Sequence, residues 1–127
     1  MSASAAKATI LIVDDEPAIL GLAEATLVDD GYQVCTATNG ADALELCGRG
    51  DPTPDAVVID VVMPEMSGPE LAVKIREILP DIPCVFTSGY GEAAGVALKQ
   101  RDPGAHYLKK PFSPDALVEM VQAVVGP

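Results

Sequence analysis

Ala56-Val57-Val58-Ile59-Asp60-Val61-Val62-Met63-Pro64 is the stretch that decides the fold. An apolar, β-branched run leads into one carboxylate, Asp60. Pro64, which has no N–H to donate, then stops the strand. A continuous apolar run, without the alternation of a half-solvated sheet, reads as a strand buried on both faces, as in a parallel sheet. Ligands of such sheets collect at the carboxyl ends of the strands. Asp60 is therefore expected at the mouth of a site, on a rigid stem. Ser67-Gly68-Pro69 then opens a helix over about 69–79, with Leu71, Ile75, Ile78 and Leu79 inward and Lys74, Arg76 and Glu77 largely outward.

The same grammar extends in both directions. Thr9-Ile10-Leu11-Ile12-Val13 is a second continuous apolar run, ending on Asp14-Asp15-Glu16 before Pro17. A helix over about 17–30 follows, with an apolar stripe of Ile19, Leu20, Ala23, Leu27 and Val28, and Gly31 ends it. Residues 33–37 form a short strand, Asn39-Gly40 caps a helix over about 41–47, and 49–54 is a loop rich in Gly, Pro and Asp. On the other side, Cys84-Val85-Phe86-Thr87 is a strand ending at Ser88-Gly89, and a weakly patterned helix interrupted by Gly95 is expected over 92–100. The stretch 105–108 is a fifth strand, ending on Lys109-Lys110-Pro111. Ser113 and Pro114 start a last helix carrying Leu117, Met120, Val121 and Val124 at helical spacing. Five βα units in alternation predict a single α/β domain over 8–127, of the flavodoxin-like, doubly wound kind, after a flexible N-terminus over 1–7. Its parallel five-stranded sheet takes the order 2-1-3-4-5, with the switch point between strands 1 and 3.

Composition narrows the function. The chain of 127 residues is 49% hydrophobic but only 4% aromatic, so aliphatic side chains must build the core. A net charge of −11 speaks against direct nucleic-acid or anionic-membrane binding. No apolar run reaches the roughly 18 residues of a membrane span, and no secretory signal is visible. Cys35, Cys47 and Cys84 show no CxxC spacing and read as buried thiols of a cytoplasmic protein.

Aligned parallel strands bring distant residues to one edge: Asp14 and Asp15 from strand 1, Asp60 from strand 3, Ser88 from strand 4 and Lys110 from strand 5. Three crowded carboxylates raise one another's pKa, and a divalent cation relieves the repulsion. Oxygen-only ligands favour Mg²⁺. Lys110 brings a compact positive charge suited to phosphate, and Ser88 a hydroxyl donor. Such a site suits phosphoryl transfer with Asp60 as nucleophile.

These residues resemble the receiver domain of two-component response regulators over about 8–125. The family's acidic pair matches Asp14-Asp15. Its acceptor motif D-x-x-M-P-x-M-x-G matches Asp60 through Met63, Pro64, Met66 and Gly68. Its Ser/Thr switch position matches Ser88, its K-P-F motif Lys110-Pro111-Phe112, and its aromatic switch Tyr107. The resemblance implies that Asp60 takes a phosphoryl group from a histidine kinase or phosphotransfer protein. It implies Mg²⁺ held by Asp15, Asp60 and the backbone carbonyl of Val62, with Asp14 acting through a water. Ser88 and Tyr107 then switch together, Lys110 bonds the phosphoryl group, and a downstream protein reads the face of the fourth helix, fifth strand and fifth helix. No enzyme beyond self-phosphorylation and self-dephosphorylation is expected. Val62 and Tyr90 flank the path of attacking water in the family, so slow self-hydrolysis is expected. The motifs around Asp60 and Ser88 also look like receivers of hybrid sensor kinases.

Blander readings stand beside these. Asp14-Asp15 suit an acidic helix start, Asp60 a strand-end cap, Ser88 a turn, and Tyr107 a half-buried strand aromatic. Lone His106 reads as a surface strand residue without function. An aspartyl-phosphate phosphatase of similar fold is the alternative enzyme, but such enzymes usually carry a second Asp where this chain has Val62. A flavin-binding module needs a phosphate loop where this chain has three acids. A degenerate receiver that serves only as an interaction module is the third alternative, though no key residue is missing.

Overall fold

The computed structural model describes residues 7–89 and 104–126. Its elements are β1 (Thr9–Val13), α1 (Pro17–Asp29), β2 (Gln33–Ala37), α2 (Gly40–Arg49), β3 (Ala56–Asp60), α3 (Gly68–Ile78), β4 (Cys84–Ser88), β5 (His106–Lys109) and α4 (Pro114–Val125). The helix expected over 92–100 lies outside the described residues, and so does Tyr90. All five strands run parallel in the order β2-β1-β3-β4-β5. The sequence reading of the sheet is thereby met.

The apolar runs behave as their composition requires. Every residue of β1, β3 and β4 is buried. Side chains alternate along each strand, so the sheet feeds two cores. On one face Leu11, Val13, Val57, Ile59 and Phe86 pack with Leu71 and Ile75 of α3 and Ala43 and Cys47 of α2. On the other, Ile10, Ile12, Val58 and Val85 pack with Leu20 and Leu27 of α1 and Leu117 and Val121 of α4. Truncating one of these buried leucines to Ala costs about 2–5 kcal/mol.

Helix starts follow the local chemistry. Asn39 accepts a hydrogen bond from the Asp42 N–H at 2.8 Å, and Ser113 accepts one from Ala116 at 3.0 Å. Ser67 and Glu70 form a reciprocal capping box at the start of α3.

Four packing expectations change. Val28 is exposed, because the buried positions of α1 are Leu20, Ala23 and Leu27, and Val28 turns about 100° away from Leu27. Ile78 is exposed because α3 ends there, and half-buried Leu79 with buried Ile82 closes that end of the core instead. Cys35 is half-buried rather than buried, since β2 is an edge strand, while Cys47 and Cys84 are buried; all three are free thiols. His106 is half-buried in β5 rather than on the surface.

Candidate functional site

Strand register builds the site. Val13 pairs with Ile59, so Asp14 follows Val13 just where Asp60 follows Ile59. Asp60 in turn pairs with Thr87, and Ser88 with Lys109. Alternation puts Asp14, Asp60 and Lys110 on the α1/α4 side and Ser88 and Tyr107 on the α2/α3 side. The backbone locks the edge: the Val61 N–H donates to the Thr87 carbonyl at 2.9 Å, and the Lys110 N–H to the Ser88 carbonyl at 2.7 Å.

The polar side chains meet. Lys110 Nζ lies 2.9 Å from Asp14 Oδ2, 3.2 Å from Asp60 Oδ1 and 3.9 Å from Glu16 Oε1. Asp14 Oδ1 accepts the backbone N–H of Glu16 at 2.9 Å, so both oxygens of Asp14 are engaged. Carboxylate oxygens of Asp14, Asp15 and Asp60 lie within 4.8 Å of one another. An open recess of about 580 Å³ is lined by Asp15, Glu16, Asp60, Val62, Ser88, Gly89 and Lys110. Tyr107 is half-buried, and its hydroxyl lies 3.4 Å from the Ser88 carbonyl. Lys109 is exposed and Lys110 turned inward, as alternation predicts.

Burial pushes the Asp60 carboxyl above the usual carboxylate range. The Asp14 charge adds to this, and Lys110 and the Val62 backbone N–H oppose it. Burial alone would lower the Lys110 ammonium, but Asp14 and Asp60 outweigh it and hold its pKa above the ordinary value. Among the described residues, the Lys110 ammonium pairs with two of the three clustered carboxylates, Asp14 and Asp60, and leaves Asp15 without a counter-charge from it. The set is short of positive charge and all oxygen, which is the donor chemistry of a hard divalent cation.

The loop after β3 is held by close backbone approach. A Cβ on Gly68 would stand 2.5 Å from the Asp60 carbonyl oxygen and 3.0 Å from Val61 Cα. The Gly68 N–H donates to the Val61 carbonyl at 2.9 Å. Glu65 sits at φ 71°, left-handed for a residue with a side chain, as the Met66 N–H reaches back to the Pro64 carbonyl at 2.7 Å.

The sequence model of the response regulator receiver domain matches residues 10–122. The chain belongs to this family. Among curated proteins, the domain is 40% identical over 118 residues to the sensor kinase CckA of Brucella abortus, covering 93% of this chain and 12% of that protein. It is 34% identical over 109 residues to the response regulator SaeR of Staphylococcus epidermidis, covering 86% and 46%. The chain therefore spans only a fraction of these relatives. Among solved structures, the Vibrio cholerae chemotaxis protein CheY4 superposes with a TM-score of 0.84 at 30% identity, covering 94% of this chain and 99% of that one. The domain is thus a signalling module of two-component systems. Among the described residues, no helix is long and apolar enough to cross a membrane.

Two features of this receiver domain escaped the sequence reading. Glu16 lines the recess and reaches toward Lys110. Leu22 is 54% exposed, and it joins Ile19, Pro111 and Phe112 around an apolar hollow of about 380 Å³ beside the site. A signal for the second existed: of the residues of α1, only Glu24, Thr26 and Asp29 are polar, so the helix has no broad polar face.

Proposed function

We propose that Asp60 is the phosphoacceptor of a phosphorelay. An Asp60 carboxylate oxygen attacks the phosphorus of a phosphohistidine on a histidine kinase or phosphotransfer protein. The P–N bond breaks, and the imidazole nitrogen leaves with the electron pair. The observation that carries this reading is the Lys110 ammonium at 3.2 Å from Asp60, beside a three-carboxylate cluster that a cation would complete. Asp15, Asp60 and the Val62 carbonyl would hold Mg²⁺ directly and Asp14 through water, since both Asp14 oxygens are already engaged by protein donors. Bound there, Mg²⁺ offsets charge on the carboxylates and on the phosphoryl oxygens. Lys110 is placed to exchange a carboxylate partner for a phosphoryl oxygen.

Ser88 and Tyr107 carry the switch in this reading. Tyr107 already touches the Ser88 carbonyl, so an inward move of Ser88 toward the phosphoryl group is felt by the ring. A downstream protein then reads β5, α4 and the neighbouring segment outside the described residues. The upstream partner docks on the apolar surface of α1 and Phe112, which adjoins Asp60's recess. Likeness to the sensor kinase CckA supports a receiver step in a relay. Val62 is 53% exposed at the recess and has no polar group to orient water, so the phosphoryl group is expected to persist well beyond seconds.

The test is incubation with acetyl phosphate, with and without Mg²⁺, read by intact mass beside Asp60→Asn. A Mg²⁺-dependent gain of one phosphoryl group, absent in the variant, is expected. A gain that survives in Asp60→Asn would place the acceptor elsewhere. No gain in the wild type, together with no Mg²⁺-dependent binding of a phosphoryl mimic, would leave an interaction module in place of a phosphoacceptor.

A further inference from the structure

Glu16 occupies the N-cap of α1, yet its side chain makes no capping hydrogen bond. It is 62% exposed and extends toward Lys110, whose side chain is 13% exposed. It stands outside the cation-competent cluster of Asp14, Asp15 and Asp60. Its carboxylate therefore lies across the ammonium, on the rim of the recess through which a phosphoryl group must enter. Lysine has three N–H donors, and Asp14, Asp60 and Glu16 surround them at 2.9, 3.2 and 3.9 Å. The outermost carboxylate is the most solvated and the most distant, so it holds Lys110 by charge rather than by a hydrogen bond.

We infer that Glu16 is a specificity-determining residue of the acceptor site, a rim carboxylate that disfavours small anionic phosphodonors. A free donor such as acetyl phosphate arrives as a dianion with only its own charge. It meets a like charge at the rim and a lysine already drawn toward that charge. A donor phosphorylated on a protein surface is positioned by contacts away from the phosphorus, so it gains binding that offsets the same repulsion. The inference rests on Asp60 being the acceptor. In the transfer itself, an Asp60 oxygen attacks phosphorus and acetate leaves with the electron pair of the broken P–O bond.

The experiment is the second-order rate of Mg²⁺-dependent phosphorylation by acetyl phosphate, followed by intact mass at about 20 mM and 500 mM salt. Wild type, Glu16→Gln, Glu16→Lys and Asp60→Asn are compared, with melting temperatures as a folding control. At low salt, Glu16→Gln is expected to be about threefold faster than wild type and Glu16→Lys about tenfold. At high salt both gains should shrink toward one, because a Debye length near 4 Å screens a rim charge. A loss of packing or of helix capping would not produce a gain graded by charge and erased by salt. Equal low-salt rates in the wild type, Glu16→Gln and Glu16→Lys would overturn the inference while leaving Asp60 as acceptor. A gain that salt does not reduce would overturn it equally. Should neither the wild type nor either Glu16 variant take up phosphate, the inference is overturned, and binding of a phosphoryl mimic then decides the acceptor reading separately.

Discussion

Helices α1 and α3 both begin at the functional edge of the sheet, and they begin in opposite ways. Each has a proline in its first turn, but α3 starts with a complete capping box and a glycine pressed against the backbone of the Asp60 strand. Its buried residues, Leu71, Ala72 and Ile75, form one stripe. α1 starts at a glutamate whose side chain ignores its own helix; both helices leave apolar side chains in solvent, but only Leu22 of α1 lies beside the recess, next to Ile19 and Phe112. Local capping is strongest beside Asp60, the proposed acceptor. It is absent where charge and apolar surface would serve the proposed partner. On that reading, stabilisation and recognition are divided between two helices of one site.

The largest expected effect strikes the rigid side of this comparison. Gly68→Ala forces a Cβ into the Asp60 carbonyl and the adjoining Val61 backbone, with no flexible side chain to yield. A loss of about 2–3 kcal/mol, or roughly 10 °C in melting temperature, is expected, together with slower phosphorylation. Wild-type stability and rate in this variant would show that α3 does not hold Asp60 in place.

Asp60→Asn acts in the opposite direction. The folded state raises the pKa of Asp60, so it holds that proton more tightly than the unfolded chain does, and ionising the group weakens the fold. The penalty is absent below the ordinary carboxylate range and fully present above the raised pKa. The variant should therefore be more stable than wild type by about 1 kcal/mol at pH 7, with the gap closing toward pH 4. Millimolar Mg²⁺ should narrow the gap at pH 7 by stabilising only the wild type. A thermal-melt series over pH, with and without chelator, checks both statements.

Capping separates the two helices directly. Ser67→Ala removes a bonded cap and should cost about 1 kcal/mol, whereas Glu16→Ala removes none and should stay within about 0.5 kcal/mol of wild type. Equal losses in urea titrations would erase the distinction.

Leu22→Ser should have the smallest effect on stability, within about 0.5 kcal/mol, because the side chain is already in solvent. Transfer from a phosphohistidine protein should nonetheless slow by about tenfold, and acetyl phosphate should react at the wild-type rate. Equal slowing with both donors would relocate the partner surface away from α1.

Much of this was legible beforehand because the strands speak plainly. Runs such as Val57-Val58-Ile59 have few other places to go than a doubly covered sheet, and each ends on a polar residue that names its edge. Parallel order then brought Asp14, Asp60 and Lys110 within ion-pair distance. Helix surfaces were less legible. Val28 and Ile78 matched an apolar stripe by spacing, but exposure depends on where the helix ends and what lies beneath it. Glu16 was hidden for another reason: as an acid before a proline it looked like an ordinary helix start, and only side-chain placement shows it turned toward Lys110. Helix-forming signals around Gly95 fall outside the described residues.

Alternation along β3 has a consequence for how this chain can change length. Adding or removing a single residue within Ala56–Asp60 would rotate Asp60 to the Ser88 side, away from Lys110, while leaving composition and hydrophobicity almost untouched. The loop over 50–53 lies at the opposite end of the strands, ahead of Asp55, which is hydrogen-bonded to Thr9, and faces no such counting rule. Insertions and deletions should therefore be absorbed there and excluded from the strand. A library of single-codon insertions would map this as loss of phosphorylation across the strand and retention across the loop.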